Sequence, residues 1–134
     1  MRKKLISQYI KVSRLRLGLA HQSNIRFFHF SYIFDMKGKL RSNGINKNTP
    51  LPKEFGLGTS YTIHSEIDAL LKFMKTYSFV SDTELEILNI RLNKRGQLRN
   101  ARPCKQCMAL LRLHRFKYAY YSTNDGIEKI RIQK

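Results

Sequence analysis

The sequence predicts an α/β protein, with one five-stranded mixed sheet flanked by helices. Three observations carry this prediction. Apolar stripes at helical spacing interleave with short aromatic and β-branched runs, in the order α-β-β-α-β-α-β-β. The 134 residues, 42% of them hydrophobic, suit one domain over 1–134 that buries a core without disulfides. The last two strand segments are joined by a link too short for a crossover helix, so they should pair antiparallel.

Each element has its own signal. Leu5, Ile6, Tyr9, Ile10, Val12 and Leu17 recur at roughly helical spacing and predict a helix over 3–19, with Gly18 as its stop. Residues 25–35 are rich in aromatic and β-branched side chains and read as a strand. A turn at Lys37-Gly38-Lys39 leads into a weaker strand over 40–45, which completes a hairpin. Residues 46–60 hold prolines, glycines and polar residues and read as a long loop. Ile63, Ile67, Leu70, Leu71 and Met74 mark a second helix over 63–77, with Thr62 as its N-cap. A third strand covers 85–92, and Lys94-Arg95-Gly96 turns the chain. Pro103 opens a third helix to residue 113, because its missing N–H is harmless in a first turn. Strands over 118–122 and 127–132 flank the turn Asn124-Asp125-Gly126.

The charge is extreme. Lys and Arg number 26 against 9 Asp and Glu, a formal net charge of +17. No acidic residue precedes Asp35, and none lies between Glu86 and Asp125. Such a field favours a polyanion, and single-stranded nucleic acid is the expected partner. Lys94, Arg95, Arg99 and Arg102 lead into the Pro103 helix and are the expected phosphate contacts. No apolar run has the length of a membrane span. The basic start is followed at once by Gln8, Lys11, Ser13, Arg14 and Arg16, which spoils a signal peptide. The expectation is an intracellular protein without a membrane partner.

Chemistry concentrates in His64-Ser65-Glu66 and Pro103-Cys104-Lys105-Gln106-Cys107. Together they offer three metal ligands, His64, Cys104 and Cys107, and one spare carboxylate, Glu66. A structural zinc normally takes four protein ligands, whereas a catalytic zinc keeps a position open for water. Cys104 and Cys107 at i and i+3 can face one point from a helix's first turn, where the helix end favours thiolate. A carboxylate beside zinc-bound water can take its proton and deliver it to a leaving group.

This split signature resembles the zinc-dependent cytidine and nucleobase deaminase superfamily. The resemblance extends over most of the chain, because the element order is similar to the superfamily's three-layer fold around a five-stranded sheet. It implies one Zn2+ per chain held by His64, Cys104 and Cys107, with Glu66 as the proton shuttle. It implies attack by hydroxide on C4 of cytosine, or C6 of adenine, with loss of ammonia. Asn46 resembles the asparagine that ends the family's second strand and binds the substrate sugar. An asparagine that simply starts a loop is the alternative. Ser65 stands where the family commonly has alanine, a change expected to matter little. The polynucleotide-editing APOBEC and AID branch carries Ser-Trp-Ser before its Pro-Cys, whereas this chain has Asn100-Ala101-Arg102 and no tryptophan. The expected final hairpin is similar instead to the branch of free-cytidine deaminases and bacterial toxin deaminases. Free-cytidine enzymes usually have Cys at the position of His64, while the toxin group keeps His.

The expected activity is therefore conversion of cytosine to uracil in nucleic acid, as single-stranded DNA or RNA. Deamination of free (deoxy)cytidine or its monophosphate is the alternative. A non-enzymatic nucleic-acid-binding protein with a structural zinc is the second alternative, and it would need His21, His29 or His114 as a fourth ligand. A redox Cys pair would leave His64 and Glu66 unexplained. Tyr121, near the site edge, is a candidate to stack on a base, or else a core tyrosine. Phe55 could roof the pocket from the long loop.

Overall fold

The computed structural model describes residues 1–20, 28–50, 62–77 and 84–133. In chain order the elements are α1 (Lys3–Ala20), β1 (Phe28–Asp35), β2 (Leu40–Ile45), β3 (Lys47–Pro50), β4 (Thr62–Ile63) and α2 (Ser65–Tyr77). They continue with β5 (Leu85–Leu92), β6 (Leu98–Arg99), α3 (Lys105–Leu113), β7 (Phe116–Thr123) and β8 (Gly126–Arg131).

The main sheet runs β2-β1-β5-β7-β8. β5 and β7 are parallel, and the other neighbouring pairs along this path are antiparallel. The parallel pair is the one connected through a helix, α3, as a crossover requires. β8 returns beside β7 with Thr123 opposite Gly126, so the expected terminal hairpin is present.

Strict alternation in β1 makes two buried faces. Phe28, Phe30, Tyr32 and Phe34 join Leu88, Ile90 and Leu92 on one face, and Leu5, Ile6, Tyr9, Ile10 and Val12 of α1 pack against them. On the other face Ile33, Ile87, Phe116 and Ala119 meet Ala69, Leu70 and Phe73 of α2 and Leu111 of α3. The predicted five-stranded mixed sheet between helices is thus observed. The β1–β2 turn is built on Asp35, whose Oδ1 accepts from the N–H groups of Lys37 and Lys39 at 2.9 and 3.0 Å. Gly38 sits at φ +85°, a region where a side chain is strained.

Several boundaries differ from the expectation. The expected loop 46–60 contributes β3, which pairs antiparallel with β4, Lys47 opposite Ile63. Ile63 therefore belongs to a strand, and α2 starts at Ser65 rather than at residue 63. Lys105, not Pro103, opens α3, because Cys104 takes the capping position. The two-residue β6 was not foreseen; it pairs with the end of β5, Arg91 opposite Arg99. Residues 25–27 of the expected first strand, together with His21 and Phe55, lie outside the described residues.

Candidate metal centre and catalytic carboxylate

Two helix starts meet on the α2/α3 side of the sheet. His64 directly precedes α2, and its carbonyl accepts the first helical bond from Asp68 N at 3.0 Å. That makes His64 the N-cap, in place of the expected Thr62. β2 holds α2 in place. Gly44 is buried there, and a Cβ at this position would run into the backbone nitrogen of Ala69. The close approach lets Ser42 Oγ donate to Ala69 O at 2.7 Å and Ile45 N donate to Asp68 Oδ2 at 2.9 Å. Asp68 Oδ2 also pairs with Lys72 Nζ at 3.0 Å.

Cys104 is the N-cap of α3, with φ −70° and ψ 170°, and its Sγ accepts from Cys107 N at 3.5 Å. The approach to Cys104 is fastened to β7. Ala101 N donates to Ser122 O at 2.9 Å, and Ser122 Oγ donates to Arg99 O at 2.7 Å. Ser122 Oγ also accepts from Arg91 N at 2.9 Å. One buried serine thus ties β5, β6 and the Pro103 segment together.

These two starts bring the three expected ligands together. His64 Nδ1 lies 3.3 Å from Cys107 Sγ and 3.7 Å from Cys104 Sγ. The ligand atoms of all three residues lie within 4.8 Å of one another. Zn–S and Zn–N bonds of about 2.3 and 2.0–2.1 Å in tetrahedral geometry place such atoms roughly 3.5–3.8 Å apart. One nitrogen and two sulfurs at these separations fit Zn2+. Among the described residues this is the only group of three or more His, Cys, Asp or Glu that could hold a metal. His114 caps the far end of α3, and His29 is outside the group. A fourth protein ligand is therefore absent among the described residues.

The three donors are shifted in different directions. The Cys104 thiol is held down to about 4, first by a hydrogen bond from Cys107 and then by His64. Cys107 is pushed up, because it donates to Cys104 and is buried. His64 is raised, chiefly by its contact with Cys104. Cys104 is thus the thiolate of the pair, and binding a metal would also displace protons from Cys107 and His64.

Glu66 stands in the first turn of α2 and is 6% exposed. Burial pushes its carboxyl up, against the hydrogen bond from Ser65 Oγ to Oε1 at 3.0 Å. A buried carboxyl beside a metal site can serve as a proton carrier.

The other expected site residues divide. Asn46 does reach the start of β1: its Oδ1 accepts from His29 N at 3.0 Å, and its own N donates to His29 O at 3.2 Å. Tyr121 is 4% exposed, and its hydroxyl donates to Glu128 Oε2 at 2.7 Å. That packing is the core reading, not a platform open to a base. Arg102, two residues before Cys104 in the chain, has Nη1 3.4 Å from Tyr121 Oη and its guanidinium over the Tyr121 ring. Arg99 folds back onto Leu98 O and Gln97 Oε1 at 2.9 and 3.1 Å. Lys94 and Arg95 are exposed on a turn whose Gly96 carbonyl accepts from Arg14 of α1 at 3.0 Å, so they sit by α1.

Sequence reasoning missed Ser31 and Asn89 as neighbours of the site, and took His29 only as a candidate fourth ligand. His29, Ser31 and Asn89 all project from the same sheet face toward α2. His29 is lowered to about 4 by burial, then by Arg91 and His64. A histidine in an aromatic strand carries no local sign of such a location.

No protein-family profile matches the sequence, and no curated protein does. The fold, however, is that of the cytidine deaminases. The solved cytidine deaminase from Burkholderia pseudomallei superposes with a TM-score of 0.58 at 13% identity, covering 98% of this chain and 94% of that one. The dCMP deaminase of cyanophage S-TIM5 superposes with a TM-score of 0.54 at 19% identity, covering 90% and 84%. The Mycobacterium leprae cytidine deaminase gives 0.53 at 15%, covering 87% and 88%. The chain thus has a cytidine deaminase-like α/β fold, and carries a His/Cys/Cys group consistent with zinc.

Proposed function

We propose that this chain is a zinc-dependent hydrolytic deaminase of a cytosine base carried on a nucleoside or nucleotide. One observation carries the reading: buried Glu66 stands two residues from His64, in the helix turn that delivers His64 to Cys104 and Cys107. A structural zinc site has no use for such a carboxylate. Zinc, when bound there, supplies a water that ionises near neutral pH. Glu66 would carry one proton from the attacking water to N3 as hydroxide adds at C4, and then the proton of the new C4 hydroxyl to the amino nitrogen. Ammonia would leave, and cytosine would become uracil. Asn46, directly after β2, is the residue we would assign to hold a sugar hydroxyl.

The solved structures of similar fold include enzymes named for free cytidine and for dCMP, which supports a monomeric substrate. The charge of +17 favours a second reading, cytosine in a single-stranded polynucleotide. Arg102, exposed and two residues before Cys104 in the chain, is the cation we would assign to a flanking phosphate. The test is uracil formation by zinc-loaded protein from cytidine, deoxycytidine, dCMP, and single-stranded DNA and RNA. Turnover of monomers alone removes the polynucleotide reading, and turnover of none removes both.

A further inference from the structure

We infer that Ser31 and Asn89 are positioning residues, which fix Ser65 and through it the carboxylate of Glu66. The inference rests on the proton-carrying role proposed for Glu66. Four buried polar side chains form one line. Asn89 Oδ1 lies 2.8 Å from Ser31 Oγ, Ser31 Oγ lies 2.7 Å from Ser65 Oγ, and Ser65 Oγ lies 3.0 Å from Glu66 Oε1. Ser31, Ser65 and Asn89 are 0%, 1% and 2% exposed, so water does not complete their bonding from bulk. Ser31 and Asn89 are direct partners across β1 and β5, and Ser65 reaches them from the first turn of α2.

Counting protons polarises the line. Ser31 has one hydroxyl proton and faces two oxygens. If it donates to Asn89, its contact with Ser65 needs a proton that Ser65 is already giving to Glu66. Asn89 Nδ2, meanwhile, is buried without a hydrogen-bond partner. The oxygen and nitrogen of an amide are assigned from their network, and a half-turn of Asn89 places Nδ2 on Ser31. Every link then donates in one direction: Asn89 Nδ2 to Ser31, Ser31 to Ser65, Ser65 to Glu66 Oε1. The row ties the Glu66 carboxylate to β1 and β5, in the middle of the sheet. Ile33 and Ile87, paired next to these positions on the same face, show that apolar residues pack here readily. A buried polar row is therefore a costly choice, unless it holds something in place.

Ser→Ala replacements are nearly isosteric, so the test uses Ser31→Ala, Ser65→Ala, the double variant and Glu66→Gln, each zinc-loaded with metal content checked. With whichever cytosine substrate the wild type turns over, each single serine variant is expected to lose about 10- to 100-fold in kcat. KM should stay within about threefold and zinc content should not change. The double variant should fall little below the worse single one, because both cut the same chain. A lowered melting temperature with unchanged kcat would reduce the row to packing and overturn the inference. Crystal structures give a readout that needs no activity. Glu66 should leave Ser65 in Ser31→Ala, and an unmoved carboxylate overturns the inference. An active Glu66→Gln instead overturns the functional reading, and leaves the crystal comparison to judge the positioning claim.

Discussion

His64 Nδ1 lies 3.3 Å from Cys107 Sγ, although 43 residues separate them in the chain. The contact exists because two helices start at one place on the sheet. One start is set by Gly44 beneath α2, the other by Ser122 beneath the Pro103 segment.

If that meeting point is a zinc site, the purified chain should carry one zinc. Cys104→Ser should abolish stoichiometric binding. Chelation should lower the melting temperature, since a ligand at a thousandfold excess over its Kd stabilises by about 4 kcal/mol. Metal analysis and a thermal melt with and without chelator check this. A melt indifferent to chelator contradicts it.

Gly44→Ala should be among the most damaging single-methyl changes. The added Cβ meets backbone of α2, which cannot rotate away. A cost of about 3 kcal/mol is expected, together with weaker zinc retention as α2 shifts. Denaturant unfolding and metal analysis measure the two effects. A variant with wild-type stability would show that α2 does not press on β2 as described.

His29 makes the pH dependence of the metal-free protein specific. Its folded pKa of about 4 lies below the ordinary 6.5. The neutral form is favoured in the fold, so this contribution to stability is complete above pH 6.5. It is lost as pH falls from about 6.5 through about 4, where the unfolded chain binds the proton first. Arg91 and His64 are the charged groups that oppose the imidazolium. An NMR titration should find the His29 ring titrating near 4. An ordinary value near 6.5 would place the ring in solvent.

The net charge of +17 should show as salt sensitivity. Binding to a single-stranded oligonucleotide should weaken by at least about tenfold between roughly 50 and 200 mM salt. Arg102→Ala should reduce the slope. A flat response would separate the charge from any polyanionic substrate.

What could be read in advance follows from how local each signal is. β1 was legible because Phe28, Phe30, Tyr32 and Phe34 alternate with their neighbours, and alternation is set by the pleat itself. The ligands were legible because Cys104 and Cys107 stand three residues apart, a spacing that faces two donors to one point, and because His64 with Glu66 resembles the other half of the signature. The helix starts were misplaced by two residues. Thr62 and Pro103 are favoured at such positions, but the His64 carbonyl and the Cys104 side chain do the capping. The β3–β4 and β6 pairings are too short to leave a pattern. Ser65 was expected to be equivalent to alanine. Its hydroxyl meets Ser31 across 34 residues, and nothing near either serine in the chain announces that contact. Tyr121 carried the right residue type for stacking, yet its hydroxyl is committed to Glu128.

The most direct measurement is ammonia and uracil production from a cytosine nucleoside, nucleotide or oligonucleotide, by zinc-loaded wild type and by Glu66→Gln with equal metal content. Wild-type turnover, with loss of at least about a thousandfold in Glu66→Gln, is the expected result. Undiminished turnover in Glu66→Gln, or full wild-type activity after complete removal of zinc, contradicts the account.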